Sequence, residues 1–433
     1  MKSFGYYADQ LVQLMKLAPI ITNLLMQDLY KFSMGQCIFH QFIKYWTKWK
    51  FKCRNTDVKF TSEMVKEIVL QIRFMCEMHF NYDDLMWLTT NYPWIHKDYV
   101  DCFLRFFHPV PSEIKVNGVS LDHWEQVPAT DFGNGLTIEA EGPWLTTSMY
   151  EVPILAIVNE VYFAFTGGGA GKLDFEFQDR TEKHVRDLID HKYTIGNFAE
   201  FGMRRRYSSA MQDWLVGYLA DKKKKGLLPG FVGTSNVYLA KKYNLTAVGT
   251  MAHEFIMCVG QGDKSQNEAY SNKFMMDAWT KEYGTWNGIA LTDTIGTNVF
   301  LLDFQKTYCR LFDGVRHDSG DPVVWGRKMI AHYQKHGVKD LHTKTLLFSD
   351  GLNFEKASEL YKEFAPVIGV SFGIGTFLSN PLDNPLNIVM KVTKCNGYDV
   401  AKISDTPGKG MCENDQYVIE TQTKIQRRLE TAQ

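Results

Sequence analysis

RLFDGVRHDSGDPVVWGRKMIAHYQKHG (residues 310–337) reads as one complete structural unit. A short apolar run gives way to the polar turn around Arg316, His317 and Asp318, and Asp321-Pro322 then opens an amphipathic helix as N-cap and first helical residue. The same order recurs on both sides. TLLF (345–348) leads into SDGLNFEKASELYKEF (349–364), and GIAL (288–291) into TDTIGTNVFLLDF (292–304). Farther back, FAEFG (198–202) precedes MRRRYSSAMQDWLVGYLA (203–220), GFVG (230–233) precedes TSNVYLAKKY (234–243), and LTAVG (245–249) precedes TMAHEFIM (250–257). VIGVSFGIG (367–375) is a last apolar run with no clear helix behind it. Strands alternating with helices imply parallel βαβ units. About seven of them imply an irregular (β/α) barrel, with an open doubly wound sheet as the structural alternative. In either fold, ligands bind beyond the carboxyl ends of the strands.

The flanks have a different texture. Residues 1–150 are rich in aromatics and mix helical with strand-like patterns. KYWTKWKFKCR (44–54) alternates in part and predicts a strand, and SLDHWEQVPATDFGNGLTIEAEGPWL (120–145) is rich in turns. EVPILAIVNEVYFAF (151–165) is apolar nearly all round and predicts a buried helix. The tail, 386–433, returns to strand-like segments such as NIVMKVTKCNGYDVAKIS (387–404) and is expected to pack back on the first domain. The expected organisation is therefore an α+β domain over 1–150, an α/β barrel over 151–385, and the tail.

Bulk properties exclude several classes. With 433 residues, more than one domain is expected. A formal net charge of −1 gives no reason to expect nucleic acid or an anionic membrane as partner. No apolar run approaches the ~18 residues of a membrane helix, and no leader pattern opens the chain. The eight cysteines form no CxxC pair, which fits a reducing, cytoplasmic setting and no zinc site. TGGGAGKL (166–173) resembles a phosphate loop but has Thr166 for its first glycine and Leu173 at its end, so it reads as a plain loop. KKKK (222–225) reads as a solvated helix end.

Three places carry candidate chemistry. Thr250-Met251-Ala252-His253-Glu254 follows a strand, with Thr250 as a candidate N-cap that puts His253 third in a helix. Free N–H groups and the positive helix end favour anions there, so a phosphorylated histidine would be stabilised. The same pattern also fits a histidine that only packs at a helix start. GVRHDSGDP (314–322) is the densest polar cluster. Arg316 suits a planar fork to carboxylate or phosphate, and Asp318 suits ribose hydroxyls or a metal-bound water, or both are surface ion pairs of a capped loop. SDGLN (349–353) and FGIGTF (372–377) end late strands, where glycines let backbone N–H groups approach a phosphate.

Taken in order, LLMQDLYKFSM, FKCR, EGPWL, YEVPILAIVNEVYF, FGMRRRYS, GTSNVYLAKKY, GTMAHE, ALTDT, GVRHDSGDPVVWG, FSDGL, FGIGT, PLNIVMK and AKISDTPGK resemble the nicotinate phosphoribosyltransferases of the bacterial and fungal type. The resemblance implies a type II phosphoribosyltransferase fold and the transfer of phosphoribose from phosphoribosyl pyrophosphate to nicotinate. It also implies ATP hydrolysis through a phosphohistidine, Mg²⁺, and a homodimer. The family histidine falls on His253. Tyr30, expected from the partner subunit, and Phe201 would clamp the ring of the base, with Thr250 and Arg316 near the nicotinate. Arg204 would reach phosphate, Gly375 and Thr376 the phosphoribosyl phosphate, and Asp318 and Asp350 the ribose and the magnesium pyrophosphate. Ser235 stands where relatives that use nicotinamide carry an aspartate, which implies the acid as substrate. A nicotinamide- or quinolinate-using relative, or a non-catalytic one, are the competing readings. Quinolinate needs more cations than Arg316 and Arg204 supply, and a non-catalytic chain should have lost His253, Arg316 or Asp318. Glu200, where relatives often have aspartate, is expected to leave these roles untouched.

Overall fold

Asn197–Glu200 (β5 in the numbering used below) is the hub of a sheet that answers the choice between barrel and open sheet. In chain order the strands are β1 (Trp46–Cys53), β2 (Ile114–Val116), β3 (Val119–Ser120), β4 (Ile138–Pro143), β5, β6 (Phe231–Thr234), β7 (Thr246–Ala247), β8 (Ile289–Leu291), β9 (Gly314–His317), β10 (Thr345–Phe348), β11 (Gly369–Ile374), β12 (Ile388–Cys395) and β13 (Tyr398–Asp399). The structure is a computed structural model that describes residues 4–128, 135–406, 410 and 412–432. Part of the turn-rich stretch (129–134) and residues 407–409 of the AKISDTPGK word lie outside the described residues.

The parallel sheet runs β7-β6-β5-β11-β10-β9-β8, so the last strand pairs with the first. In a flat sheet, β7 and β8 would lie at opposite edges. Instead the Thr250 hydroxyl, just past β7, donates to the carbonyl of Ile289 in β8 at 3.0 Å. The sheet is therefore curled into a barrel that is open at one seam, and one side chain spans the seam. The segment between these strands holds two packed helices, His253–Gln261 and Ser271–Tyr283.

Local rules account for most elements. Asp321 caps Pro322–Lys335 by accepting from the N–H groups of Val323 and Val324 at 2.8 and 2.9 Å. Lys222, Lys223 and Lys224 end the helix Ser209–Lys224, where cations suit the C-terminus. That helix starts later than MRRR suggests: Met203–Arg205 is a 3₁₀ turn, and Ser208 is the cap. Arg316 and His317 lie in β9 itself rather than in the loop behind it. The run after β11 does hold a short helix, Thr376–Ser379.

The second sheet, β13-β12-β1-β4-β2-β3, is antiparallel where the first is parallel. Thr47, Trp49 and Phe51 of β1 face inward, as period-2 alternation requires. The tail supplies β12, which pairs with β1 from Thr47↔Cys395 to Cys53↔Ile388. The helix Glu151–Thr166 is buried nearly throughout, and one continuous apolar core runs from the first sheet through it to the barrel.

The tail departs from expectation after β13. It ends in a helix, Asp415–Thr431, which packs on the barrel rather than on the first domain. Arg428 bonds Asp303 at 2.9 Å, and Lys424 bonds Glu268 at 2.6 Å. The strand-like reading failed because this helix is amphipathic and mostly exposed, with only Thr421 and Ile425 buried. All eight cysteines are free. No described helix is long and apolar enough to cross a membrane.

Candidate active site

The carboxyl ends of the seven parallel strands put the candidate residues on one rim. Strand register fixes the order: Phe348 of β10 lies between His317 of β9 and Phe372 of β11, and Ile374 of β11 pairs with Glu200 of β5. Asp318, Asp350, Gly375, Phe201 and Ser235 each stand one or two residues beyond these ends.

His253 is the first residue of its helix, not the third. Ala252 occupies the cap position and gives no side-chain bond, because Thr250 turns its hydroxyl to the seam instead. The imidazole is buried among charges. Its Nδ1 is 2.9 Å from Thr294 Oγ1, and its Nε2 is 2.7 Å from Lys402 Nζ and 2.9 Å from Asp318 Oδ2. An ammonium can only donate and a carboxylate can only accept, so Nε2 of a neutral ring accepts from Lys402 in one tautomer and donates to Asp318 in the other. Burial, reinforced by the Lys402 charge, pulls the histidine down to about 4 and keeps it neutral. Burial works to raise Asp318, but the bond to His253 and the charges of Lys402 and Arg316 hold it well below the usual carboxylate range. The result is a neutral imidazole held between a cation and a carboxylate.

The residues expected around the base come from β5, β6 and a helix of the first domain. Phe201 lies over Gly373, where an added Cβ would be 2.4 Å from its ring. Glu200, expected to be neutral to the site, shapes it: its carboxylate accepts from the Gly202 N–H at 2.6 Å and from Thr234 Oγ1 at 2.6 Å. It thus fixes the turn that aims Phe201 and Arg204. Tyr30 arrives from the same chain, not from a partner subunit. Its helix, Leu29–Gln41, docks on the barrel rim through Ser33, which bonds the Thr250 carbonyl at 2.5 Å, and through the Leu29 N–H to the Ser235 carbonyl at 2.9 Å. The Tyr30 ring then lies 6.0 Å from the Arg204 guanidinium. The Ser235 hydroxyl donates to Asp28 at 2.6 Å, and burial raises Asp28 despite Arg204 nearby. A carboxyl group is therefore present on this side although residue 235 is serine.

Farther round the rim, Ser349 bonds Asp318 Oδ1 at 3.1 Å. Gly375 and Thr376 begin the short helix after β11. Arg316 donates from Nη1 to the Met251 carbonyl at 3.0 Å, while its Nε is buried without a hydrogen-bond partner. A buried guanidinium N–H left unsatisfied is costly unless a ligand completes it. Ligand atoms of His253, Asp293 and Asp318 lie within 4.8 Å of one another. Lys402 Nζ, however, stands 3.4 Å from Asp293 and 3.6 Å from Asp318, so a cage of protein ligands alone does not fit Mg²⁺ there. An ion that arrives with phosphate ligands and takes one or two carboxylates at the strand ends does fit.

Lys402, Asp293 and Thr294 were missed as site residues. Asp293 and Thr294 sit past β8 in ALTDT, a strand-then-acid signal like that of Asp318. Lys402 had no such signal: it lies in the tail, and it reaches His253 because Ala401 bonds Gln261 at 2.7 Å and the Ile403 N–H bonds the Thr294 carbonyl at 2.8 Å.

The chain matches the description of the nicotinate phosphoribosyltransferase (NAPRTase) family over residues 197–429 and that of the family's N-terminal domain over residues 25–159. It is 41% identical over 402 residues to the nicotinate phosphoribosyltransferase of Xanthomonas campestris pv. campestris (strain B100), covering 92% of this chain and 94% of that protein. It is 40% identical over 407 residues to the enzyme of the same name from Cupriavidus necator, covering 92% and 96%. The solved nicotinate phosphoribosyltransferase of Vibrio cholerae superposes with a TM-score of 0.82 at 32% identity, covering 97% of this chain and 98% of that one. That of Porphyromonas gingivalis does so with 0.81 at 31%, covering 94% and 100%.

Proposed function

The chain belongs to the nicotinate phosphoribosyltransferase family, and from that premise we propose that it transfers phosphoribose to nicotinate, with ATP hydrolysis driving the reaction through phosphorylated His253. The products are nicotinate mononucleotide and pyrophosphate, which places the enzyme in NAD biosynthesis by salvage of the free base. The observation that carries the reading is the neutral His253 imidazole with its Nε2 between Lys402 and Asp318.

In the tautomer with the proton on Nδ1, which accepts from Lys402 at Nε2, phosphorylation needs no base. The Nε2 lone pair forms a bond to the γ-phosphorus, the bond from that phosphorus to the bridging oxygen breaks, and ADP leaves. Lys402 is placed to follow the transferred charge, and Nδ1–H remains bonded to Thr294. Water later takes the phosphoryl group from the ring. In the transfer step, the pyridine nitrogen bonds to the anomeric carbon as the bond from that carbon to pyrophosphate breaks, and positive charge develops on the ribose between the two. Asp318 lies on this side to stabilise that charge. When Mg²⁺ is bound with the pyrophosphate, it neutralises the leaving group, and Asp318 and Asp350 would hold it. Phe201 and Tyr30 hold the pyridine ring, and offset stacking of this kind adds roughly 0.5–1.5 kcal/mol beyond area burial.

Choice of the acid over the amide rests on Arg316 more than on Ser235. The unpartnered Arg316 Nε supports a carboxylate ligand, whereas Ser235 is already committed to Asp28. All these groups come from one chain, so the homodimer of the family resemblance is not needed to complete the site.

Incubation with γ-labelled ATP followed by peptide mapping tests the reading. Label on the peptide containing His253, and turnover that favours nicotinate over nicotinamide and quinolinate, are expected. Label elsewhere, or a better amide substrate, would overturn it.

A further inference from the structure

Behind the rim, three cations share two buried carboxylates, with Lys31 buried beside them and Arg204 and Lys391 reaching in from more exposed positions. Lys31 is fully buried and reaches Glu151 at 2.8 Å and Glu254 at 2.5 Å, each of which is 3% exposed. Glu254 is the neighbour of His253 and the second residue of its helix. The other oxygen of Glu151 meets Arg204 at 3.3 Å and Lys391 at 4.0 Å. The second oxygen of Glu254 accepts from Ser148 at 2.5 Å. A continuous chain of ion pairs therefore runs from the helix that carries His253 to Arg204 on the base side.

Burying such a network costs several kcal/mol per ion in desolvation, and apolar residues of the same volume would often be at least as stable. Stability alone is then a poor account of it. We infer that Lys31 is a positioning residue that couples the state of His253 to the base and phosphate side through Glu254 and Glu151. The inference rests on the phosphohistidine reading above.

The physics is competition for Glu151. With the site empty, Arg204, Lys391 and Lys31 all draw on that one carboxylate. When Arg204 and Lys391 turn to a substrate phosphate, Glu151 retains Lys31 alone and draws it from Glu254. The start of the His253 helix then loses its tether. In reverse, phosphate on His253 adds negative charge next to Glu254 and draws Lys31 toward it, which leaves Glu151 to Arg204 and Lys391, so the two sides compete for Lys31. Coupling of this kind is reciprocal: each ligand changes the other's affinity by the same factor. Lys31 also links the two sides covalently, since it follows Tyr30 in the chain and its ammonium lies 5.5 Å from the Tyr30 ring.

The test is the number of ADP molecules formed per nucleotide formed, in the full-length enzyme. Lys31→Met should raise that ratio, and the affinity change it removes should be about 5-fold or more, the low end of ordinary allosteric coupling. It should also abolish the dependence of nicotinate affinity on His253 phosphorylation. Ser148→Ala, which leaves the three cations in place and loosens only Glu254, should raise the ratio by less. A merely structural role would lower the amount of active enzyme and leave the ratio alone. If Lys31→Met does not accumulate as folded protein, Ser148→Ala decides. An unchanged ratio in the folded variants overturns the coupling role alone. A native enzyme indifferent to ATP overturns the phosphohistidine reading and this inference with it.

Discussion

Two helices start on the same barrel rim, and they start differently. Pro322–Lys335 opens with a capping aspartate and a proline, all within two neighbouring residues. His253–Gln261 opens behind an alanine that caps nothing, and its first residue is held by Thr294, Asp318 and Lys402 from three other parts of the chain. The first start is a local solution to the problem of unpaired helix N–H groups. The second leaves that problem open in a buried place. An uncapped N-terminus beside a lysine is where a phosphate is stabilised best. What looks like a weaker helix start suits the phosphohistidine proposed for it.

Several changes would break or sharpen this contrast. His253→Ala should remove all phosphoenzyme and all ATP stimulation while leaving slow ATP-independent transfer, measured as nucleotide formed with and without ATP. Full stimulation in that variant would end the phosphohistidine assignment.

Lys402→Met should slow phosphoenzyme formation by about 10²–10³, the usual cost of losing one fixed donor to developing charge. It should also move the acid limb of the pH profile upward, because the Lys402 charge helps to depress His253. A rapid-quench time course against pH reads both effects.

The native enzyme should keep labelling His253 as pH falls from about 7.5 to about 5.5, where an ordinary histidine would be ~90% protonated. The sign follows from His253 lying at about 4 when folded, below its unfolded value of about 6.5. The folded state binds fewer protons between those values, so this group also adds stability above about 6.5 that is lost as pH falls toward about 4. A tenfold drop in labelling by pH 5.5 would contradict the buried neutral ring.

The smallest effects compare the two starts directly. Asp321→Ala should cost about 1 kcal/mol of stability in chemical denaturation. Ala252→Asp should gain up to about 1 kcal/mol by supplying the missing cap, yet weaken phosphoenzyme formation by setting a carboxylate beside the phosphate. Improved stability with undiminished labelling would show that the uncapped start has no functional value.

The same contrast explains what the sequence made legible. Strand, turn and capped helix recur at short range, so the barrel, its order and the rim positions of Asp318, Asp350 and Gly375 could be read from local pattern. The start of the His253 helix was misplaced by two residues because Thr250 is a good cap by type but spends its hydroxyl across the seam. Tyr30 was assigned to a partner subunit by resemblance, whereas the docking of Ser33 on Thr250 within one chain is a tertiary fact with no local signature. Lys402 and the Lys31 network were invisible for the same reason: their partners lie 149 and 223 residues away in the chain. Glu200 was seen, but its bond to the Gly202 N–H requires knowing the turn it closes.

The pairing of β1 with β12 has a consequence for how the molecule is made. Cys53 waits for Ile388, and Thr47 for Cys395, so during synthesis the first sheet stays incomplete until residues 388–395 have left the ribosome. Lys402 emerges only after that strand. A nascent or prematurely ended chain that lacks this stretch has an unpaired edge on β1 and no cation at His253. Completion of the sheet and arming of the histidine therefore fall at nearly the same moment in the life of each molecule, and a ribosome that stops short releases a protein without the lysine that faces its histidine.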